Sequence, residues 1–268
     1  MNYQKITQEV RIIAKDVALF IKSQQQLIKS NDIQSKGNHD FVTYVDKTAE
    51  QKIVDGLEKI IPDSGFIAEE GTSTKVGTVY NWIIDPLDGT TNFIHGISPF
   101  AISIALQENG KTVLGVIHEI SLDECFYAWE GGQAYLNNEV INVSTQNDLS
   151  KSLIATGFPY YDYSKTKDFL TTLEYFMRET SGVRRLGSAA TDLAYVAAGR
   201  FESFFEYSLR PWDVAAGAFI VKQAGGTVCD FSGGNNYIFG KEIIASCEQL
   251  SNQIFNVVNK NLANKITQ

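Results

Sequence analysis

The stretch that decides the fold of this chain is Trp82-Ile83-Ile84-Asp85-Pro86-Leu87-Asp88-Gly89-Thr90-Thr91-Asn92. An apolar, strand-like run delivers two aspartates, three positions apart, to one point, and a Gly-Thr-Thr turn follows at once. Carboxylates are hard oxygen ligands for Mg²⁺, and a Gly-Thr-Thr turn offers backbone N–H groups and hydroxyls to a phosphate. The stretch therefore carries both halves of a metal-dependent phosphatase site, although aspartate and Gly-Thr also occur in plain turns.

Two further stretches place acidic residues beside apolar runs. The segment Gly65-Phe66-Ile67-Ala68-Glu69-Glu70-Gly71 predicts a short strand that ends in two glutamates, and the alternative for these acids is a solvated loop. The segment Pro211-Trp212-Asp213-Val214-Ala215-Ala216-Gly217 puts an aspartate ahead of a small, apolar, helix-like run. The alternative role for that aspartate is a plain helix N-cap.

Taken together, these stretches resemble the inositol monophosphatase family, the Mg²⁺-dependent, lithium-sensitive sugar phosphatases. The matching pieces are 68–70, 85–93 and 212–217, with weaker matches at 40–46 and 187–190. They occur in the family's order and span residues 36 to 226. The resemblance implies an α+β fold, a layered αβαβα sandwich of the inositol monophosphatase and fructose-1,6-bisphosphatase type.

The hydrophobic pattern divides the chain into two parts. Residues from about 1 to 147 predict two amphipathic helices, near 3–29 and 46–61, separated by a polar loop over 31–38 and followed by short β-rich runs. From about 148 to 268, predicted helices and strands alternate, which is typical of an α/β arrangement. No long linker separates the parts, so we expect one catalytic unit over 1–268 with an N-terminal α+β lobe and a C-terminal α/β lobe.

Composition limits the function. The 268 residues carry a formal net charge of −8 without a block of Lys or Arg, which argues against nucleic acid as an obligate ligand. Three cysteines, none in a C-x-x-C pair, indicate free thiols in a reducing compartment. Neither a signal pattern nor a window of about 18 uninterrupted apolar residues is present. We therefore expect a cytoplasmic protein with no membrane span.

By resemblance, a group of acidic side chains and one carbonyl hold two to three Mg²⁺ ions. Glu69, Asp85 and the backbone carbonyl of Leu87 would bind the first ion, and Asp85, Asp88 and Asp213 the second. Glu69 would also reach a third, weaker ion, and Asp85 is the candidate bridge between the first two. Asp213 lies 125 positions after Asp88, so we expect the site to form only when the two lobes pack together.

The resemblance also assigns the groups around the attacking water and the phosphate. Thr90, with Asp46 behind it, corresponds to the family's water-activating pair, and Glu69 helps to hold the ion that carries the water. The backbone N–H groups of Gly89, Thr90 and Thr91 can cradle a phosphate at a helix start or turn. The alternative for Asp46 is to cap the helix that follows it and do nothing more.

Groups facing the rest of the substrate are expected in the C-terminal lobe. The family's Gly-Thr-Ala-Ala turn corresponds here to Gly187-Ser188-Ala189-Ala190, and its ring-contacting glutamate to Glu206. Glu202 and Glu206 share one strand face by count, so strand geometry alone does not select between them. Asp88 and Asp213 would share substrate contact with their metal role.

Four more residues are candidates, each with a solvated or structural alternative: Lys36, Glu70, Arg184 and Arg185. Lys36 matches a family position near the third metal, and Glu70 would orient a water. Adjacent strand residues point to opposite faces, so at most one of the two arginines faces the cavity. An arginine there would suit a second phosphate, as in a bisphosphate or NADP.

These residues predict a Mg²⁺-dependent phosphomonoesterase that hydrolyses myo-inositol 1-phosphate by direct attack of a metal-activated water. Alternatives with the same chemistry are NADP(H), fructose 1,6-bisphosphate and 3′-phosphoadenosine 5′-phosphate. A different class is a regulatory protein that keeps the fold and works through a partner. Inhibition by Li⁺ and a homodimer are expected from the resemblance alone.

Overall fold

A computed structural model describes residues 1–28, 33–37 and 40–263, with the side chains of 33–37 and 40–42 outside the description. The α-helices found in these ranges are α1 (Tyr3–Gln24), α2 (Tyr44–Ile60), α3 (Thr90–Ile94), α4 (Thr166–Glu179), α5 (Ala189–Ala197), α6 (Pro211–Gln223) and α7 (Ser251–Leu262).

The strands of the first half are β1 (Ile33–Gly37), β2 (Asp40–Thr43), β3 (Gly65–Ala68), β4 (Tyr80–Asp88), β5 (Ala101–Glu108), β6 (Lys111–Glu119), β7 (Glu124–Trp129), β8 (Ala134–Leu136) and β9 (Glu139–Ile141). Those of the second half are β10 (Leu153–Thr156), β11 (Gly182–Arg184), β12 (Ser203–Tyr207), β13 (Thr227–Cys229) and β14 (Glu242–Ser246).

The strands described form two large sheets and a hairpin. The larger sheet has seven strands in the order β3-β4-β5-β6-β7-β8-β9, with β3 parallel to β4 and the rest antiparallel. The smaller has five strands in the order β11-β10-β12-β14-β13, parallel on the β11-β10-β12 side. The hairpin pairs β1 with β2.

The helices lie in three layers around these sheets. Helices α1 and α2 pack on one face of the larger sheet, and α5 and α6 lie between the two sheets. Helices α4 and α7 cover the outer face of the smaller sheet. The αβαβα sandwich predicted from the resemblance is therefore confirmed. Because the middle helices contact both sheets, we infer that the two lobes act as one unit.

Small residues allow α6 to lie close to its neighbours. A Cβ added at Gly115 of β6 would lie 2.7 Å from the carbonyl oxygen of Ala216 on α6. A Cβ added at Gly217 would lie 2.5 Å from Cβ of Leu193 on α5. Any larger side chain at these positions would push the middle layer away from the sheet. The apolar run after Asp213 thus places the start of α6 against the larger sheet.

Several element boundaries differ from the sequence predictions. Part of the predicted loop over 31–38 is strand β1, whose polar sequence carries no apolar alternation that would reveal it. Helix α2 begins at Tyr44, because Thr43 is its N-cap, and β4 continues to Asp88. Strand β13 was not predicted, and a 3-10 turn at Glu248–Leu250 precedes α7.

Two observations bear on the expectations from composition. None of the helices in the described ranges combines the length and apolar character that crossing a lipid bilayer requires. The three cysteines, Cys125, Cys229 and Cys247, are free thiols.

Candidate active site

The end of β4 is irregular, and this irregularity shapes the site. Asp85 pairs with Ser103 and Asp88 with Ala101, so one extra residue on β4 forms a bulge. Pro86 causes the break because it has no N–H to continue the ladder. The N–H of Leu87 instead donates to Oδ1 of Asp85 at 2.9 Å. Both aspartates therefore face one cavity.

A left-handed glycine turns the chain directly after the bulge. Gly89 has φ +93° and forms the N-cap of α3, where a Cβ would lie 3.1 Å from the carbonyl oxygen of Pro99. The first N–H groups of a helix have no partner within the helix. The predicted Gly-Thr-Thr turn is therefore the start of a short helix, and Gly89, Thr90 and Thr91 all line the cavity.

Thr90 and Asp46 are in direct contact. Oγ1 of Thr90 is 3.0 Å from Oδ1 of Asp46 and 3.0 Å from the carbonyl oxygen of Leu87, two acceptors for its one proton. The other carboxylate oxygen of Asp46 accepts from the N–H and hydroxyl of Thr43, forming the capping box of α2. Asp46 thus caps α2 and also contacts Thr90, so it does more than cap the helix.

Glu69 follows the last residue of β3 and still pairs with β4, because its N–H donates to the carbonyl of Ile84 at 3.2 Å. The loop that carries it is held by Glu50, a fully buried residue of α2. The carboxylate of Glu50 accepts from the N–H groups of Glu70 and Thr72, both at 2.7 Å. Sequence reasoning missed Glu50; the available signal was an acid on the apolar face of a predicted amphipathic helix.

The C-terminal lobe completes the cavity through the starts of α5 and α6. Oδ2 of Asp88 accepts from the hydroxyl of Ser188 and the N–H of Ala190, both at 2.7 Å. Asp213 lies in the first turn of α6 rather than at its N-cap, and it accepts from the N–H of Arg210 at 2.7 Å. The two hydrogen bonds to Asp88 join residues 100 and 102 positions apart in sequence.

The cavity has a volume of about 240 Å³ and is strongly acidic. Burial, followed by repulsion from Glu69, Asp88 and Asp213, raises the pKa of Asp85 well above its ordinary value. Burial likewise raises the pKa of Asp88 to about 6, although the hydrogen bonds from Ser188 and Ala190 act to lower it. Burial and repulsion from Asp88 raise the pKa of Asp213.

The acidic side chains line one cavity, but they do not converge on one position. In the part of the chain described, no three Asp, Glu, His or Cys side chains already surround one metal position. Burial, followed by repulsion among these acids, raises the pKa values of Asp85 and Asp213, as expected for carboxylates in one low-dielectric cavity. Such a set of hard oxygen donors fits Mg²⁺, because this ion binds a few carboxylates and keeps several waters.

For two pairs of candidates, the sequence did not show which member faces the cavity, and the structure does. Arg185 lines the cavity, whereas Arg184 is exposed and its guanidinium donates to the carbonyl of Val183. Glu206 lines the cavity, whereas the carboxylate of Glu202 accepts from the hydroxyl of Ser144 and the N–H of Leu153.

The remaining candidates lie in different places. Ser188 and Ala189 line the cavity, and Glu70 lies beside Glu69 with its N–H bound to Glu50. The side chain of Lys36 lies outside the described residues.

Sequence reasoning missed two further side chains, one that supports the cavity and one that lines it. Asn92, nearly fully buried, donates to the carbonyl oxygens of Pro99 and Leu186 and so ties α3 to the loop before α5. Asp192 lines the cavity from α5, where an acid within an apolar helix was the available signal.

Comparison with known proteins agrees with the fold. A sequence model of the inositol monophosphatase family matches residues 2–263. An inositol-1-monophosphatase from Mesorhizobium japonicum is 40% identical over 237 residues, which cover 88% of this chain and 89% of that protein. A Nus factor SuhB from Salmonella typhimurium is 45% identical over 216 residues, which cover 80% of each protein.

Solved structures give the same result. The extragenic suppressor protein SuhB from Bartonella henselae has a TM-score of 0.90 at 38% identity, over 96% of this chain and 100% of that chain. An IMPase from Thermotoga maritima has a TM-score of 0.87 at 38% identity, over 98% of each chain. The fold and these relatives define a phosphoric monoester hydrolase. The chain belongs to the inositol monophosphatase family, whose members are generally Mg²⁺-dependent and act on small phosphorylated substrates.

Replacing Glu50 by Gln tests how the Glu69 loop is held. The amide keeps one acceptor oxygen but cannot accept from both N–H groups, so the loop loses one of its two anchors. With Glu69 as the expected metal ligand, we expect the Mg²⁺ concentration for half-maximal activity to rise about tenfold, the scale found when a residue that orients a metal ligand is changed. A Mg²⁺ titration of phosphate release measures this shift.

Glu58→Gln is the matched control, because Glu58 lies on the same helix in an exposed ion pair with Lys75. We expect its Mg²⁺ requirement to stay at the wild-type value. An unchanged requirement in Glu50→Gln would show that Glu50 does not support the metal ligand.

Proposed function

We propose that this protein is a Mg²⁺-dependent phosphomonoesterase that hydrolyses myo-inositol 1-phosphate. One observation carries the proposal: four carboxylates from both lobes, Glu69, Asp85, Asp88 and Asp213, line a single cavity that also contains Thr90. The hydroxyl of Thr90 is fixed by Asp46 at 3.0 Å.

The metal ligands in this proposal are the four carboxylates and the carbonyl oxygen of Leu87. When bound, Mg²⁺ would neutralise phosphate charge and lower the pKa of a water molecule. The chain contributes a donor set whose mutual repulsion is relieved by cations, as the raised pKa values of Asp85 and Asp213 indicate.

Thr90 and Asp46 would orient the attacking water. The single hydroxyl proton of Thr90 is directed at Asp46 or at the carbonyl of Leu87, so a lone pair of its Oγ1 is left to accept a hydrogen bond. A water held at that lone pair directs its own oxygen toward the phosphorus. Asp46 stabilises this arrangement because its second oxygen is anchored by Thr43.

The first turn of α3 would hold the phosphate. The N–H groups at Gly89, Thr90 and Thr91 lie at a helix start, where they have no helical acceptor and can donate to phosphate oxygens. Among the described residues that line the cavity, none is a histidine or cysteine. We propose a direct displacement by water, without a phosphoenzyme, because Asp85, Asp88 and Asp213 are assigned to the metals and the hydroxyl of Ser188 donates to Asp88.

The leaving group would lie toward the C-terminal lobe, beside Ser188, Ala189 and Glu206. These three residues line the cavity of about 240 Å³. Arg185 also lines the cavity, which keeps NADP(H), fructose 1,6-bisphosphate and 3′-phosphoadenosine 5′-phosphate as alternative substrates.

A second candidate function is action through a partner. It is supported by the relatives named Nus factor SuhB, a name that does not refer to phosphate hydrolysis. We propose that any such role accompanies catalysis, because the proposed metal and water ligands are all present in this chain. A homodimer, a cytoplasmic location and inhibition by Li⁺ are further proposals that rest on the family alone.

The proposed function is tested by phosphate release from inositol 1-phosphate, NADP⁺ and fructose 1,6-bisphosphate, each with and without Mg²⁺. We expect release to require Mg²⁺, to be inhibited by Li⁺ and to have its highest kcat/KM with inositol 1-phosphate. A higher kcat/KM for one of the other two compounds would make that compound the preferred substrate, and the assigned reaction class would stay the same. Absence of release from all three would contradict the proposal and favour the partner function.

A further inference from the structure

A buried serine of β5 joins the larger sheet to the start of α6. Ser103 is 1% exposed, and its hydroxyl donates to the carbonyl oxygen of Trp212 at 3.0 Å. The two residues are 109 positions apart in sequence and belong to different lobes. Ala101 and Ala105, which flank Ser103 on the same face of β5, are small and apolar. The serine therefore adds a directional polar contact where its neighbours pack without one.

The sheet end of this contact lies beside Asp85. Ser103 pairs with Asp85 across the β4–β5 ladder, so the two side chains point to the same face of the sheet. That face is covered by the middle helices, because Ile83, two positions earlier on β4, packs in the core between the sheets. The carboxylate of Asp85 accepts from the N–H of Leu87. Ser103 thus lies at a fixed place relative to one proposed metal ligand.

The helix end of the contact lies beside Asp213. The carbonyl carbon of Trp212 is bonded to the backbone nitrogen of Asp213, in the first turn of α6. The carboxylate of Asp213 accepts from the N–H of Arg210 at 2.7 Å, which orients it within that turn. This local contact does not set the position of the turn relative to the larger sheet. The hydrogen bond from Ser103 to Trp212 does set that position.

We propose that Ser103 is a positioning residue, which holds Asp213 at the distance from Asp85 that a shared Mg²⁺ ion requires. Mg²⁺ demands nearly ideal octahedral geometry, so a small displacement of one ligand weakens its binding. Repulsion from Asp213 contributes to the raised pKa of Asp85, so the two carboxylates would move apart without a contact that opposes the repulsion. The inference rests on the metal ligands of the proposed function and adds the residue that sets their spacing.

The test is Ser103→Ala, with Ser203→Ala as the matched control. Ser203 of β12 is also buried, and its hydroxyl donates to the carbonyl oxygen of Ala245 at 2.8 Å, between two strands of the smaller sheet. Each variant loses one buried hydrogen bond, so without Mg²⁺ both should unfold about 2–4 °C below wild type. Mg²⁺ alone is then added, and the rise of the unfolding midpoint with its concentration reports the affinity.

We expect Ser103→Ala to need about tenfold more Mg²⁺ than wild type for the same rise, the scale found when a residue that orients a metal ligand is changed. Ser203→Ala should need the wild-type concentration. Ser103→Thr keeps the hydroxyl and should recover most of the affinity. Wild-type affinity in Ser103→Ala, an equal loss in Ser203→Ala, or no recovery in Ser103→Thr would overturn the inference.

Phosphate release by the wild-type protein tests the proposed function separately. Mg²⁺ that stabilises the wild-type protein without supporting phosphate release would contradict the proposed function but not the role of Ser103. If Mg²⁺ stabilised neither the wild-type protein nor the variants, both the proposed metal site and the role of Ser103 would be wrong.

Discussion

Asp88→Asn is expected to lower kcat/KM for phosphate release about a thousandfold or more, because it removes a proposed metal ligand worth several kcal/mol of transition-state stabilisation. The fold should survive the change. Oδ2 of Asp88 accepts from Ser188 and Ala190, and the amide oxygen of asparagine can take over both hydrogen bonds. The amide nitrogen then replaces the other oxygen, and a nitrogen that carries two protons cannot bind Mg²⁺. Steady-state kinetics and thermal unfolding measure the two effects.

Two control variants separate the metal role from packing. Ser188→Ala removes one of the hydrogen bonds to Asp88 and leaves both carboxylate oxygens, so we expect a loss of less than about tenfold. Asp168→Asn makes the same chemical change at an exposed position and should have no effect. Near-normal turnover in Asp88→Asn would contradict the assignment of this aspartate to the metal.

Thr90→Ala is expected to lower kcat about a hundredfold or more, the scale of positioned proton-transfer groups, with a smaller change in KM. The alanine removes the hydroxyl that lies 3.0 Å from both Asp46 and the Leu87 carbonyl. The attacking water would then lose its acceptor, while the N–H groups of α3 that hold the phosphate remain. Measurement of kcat and KM at saturating Mg²⁺ separates these contributions.

Thr90→Ser is the matched control, since it restores the hydroxyl without the methyl group, and we expect it to recover most of the lost turnover. Asp46→Asn changes the partner of Thr90 instead. The amide oxygen of the asparagine can still cap α2, but its amide nitrogen replaces the oxygen that accepts from Thr90. Its turnover should fall toward that of Thr90→Ala. Equal activity of Thr90→Ala and wild type would show that another group orients the water.

The turn at Gly89-Thr90-Thr91 could be predicted because turns depend on neighbouring residues, whereas the bulge between Asp85 and Asp88 was not predicted. Pro86 breaks the ladder through its missing N–H, and Gly89 adopts a positive φ that other residues disfavour. The helical and strand periods also predicted most elements, since each follows from the burial of one face. Strand β1 was missed because its polar sequence has no such period.

The sequence could not show which of two similar residues, Glu202 or Glu206, lines the cavity. Glu202 and Glu206 lie four positions apart on one face, yet Glu202 meets the N–H of Leu153 at the start of β10. Glu206 lies at the other end of β12, next to Gly157, where β10 has already ended. The difference between them is set by a neighbouring strand about 50 residues away.

The sequence by itself determined which residue types are available to the site: two aspartates at the end of an apolar strand, a Gly-Thr-Thr turn suited to phosphate, and further acids at the ends of other elements. Only the tertiary structure decided which further residues surround them, such as Glu50 behind the Glu69 loop and Asp192 in the same cavity as Glu206. The physical reason is distance along the chain. Backbone geometry and periodicity are local, whereas burial, repulsion and a missing hydrogen-bond partner exist only after distant segments have packed together.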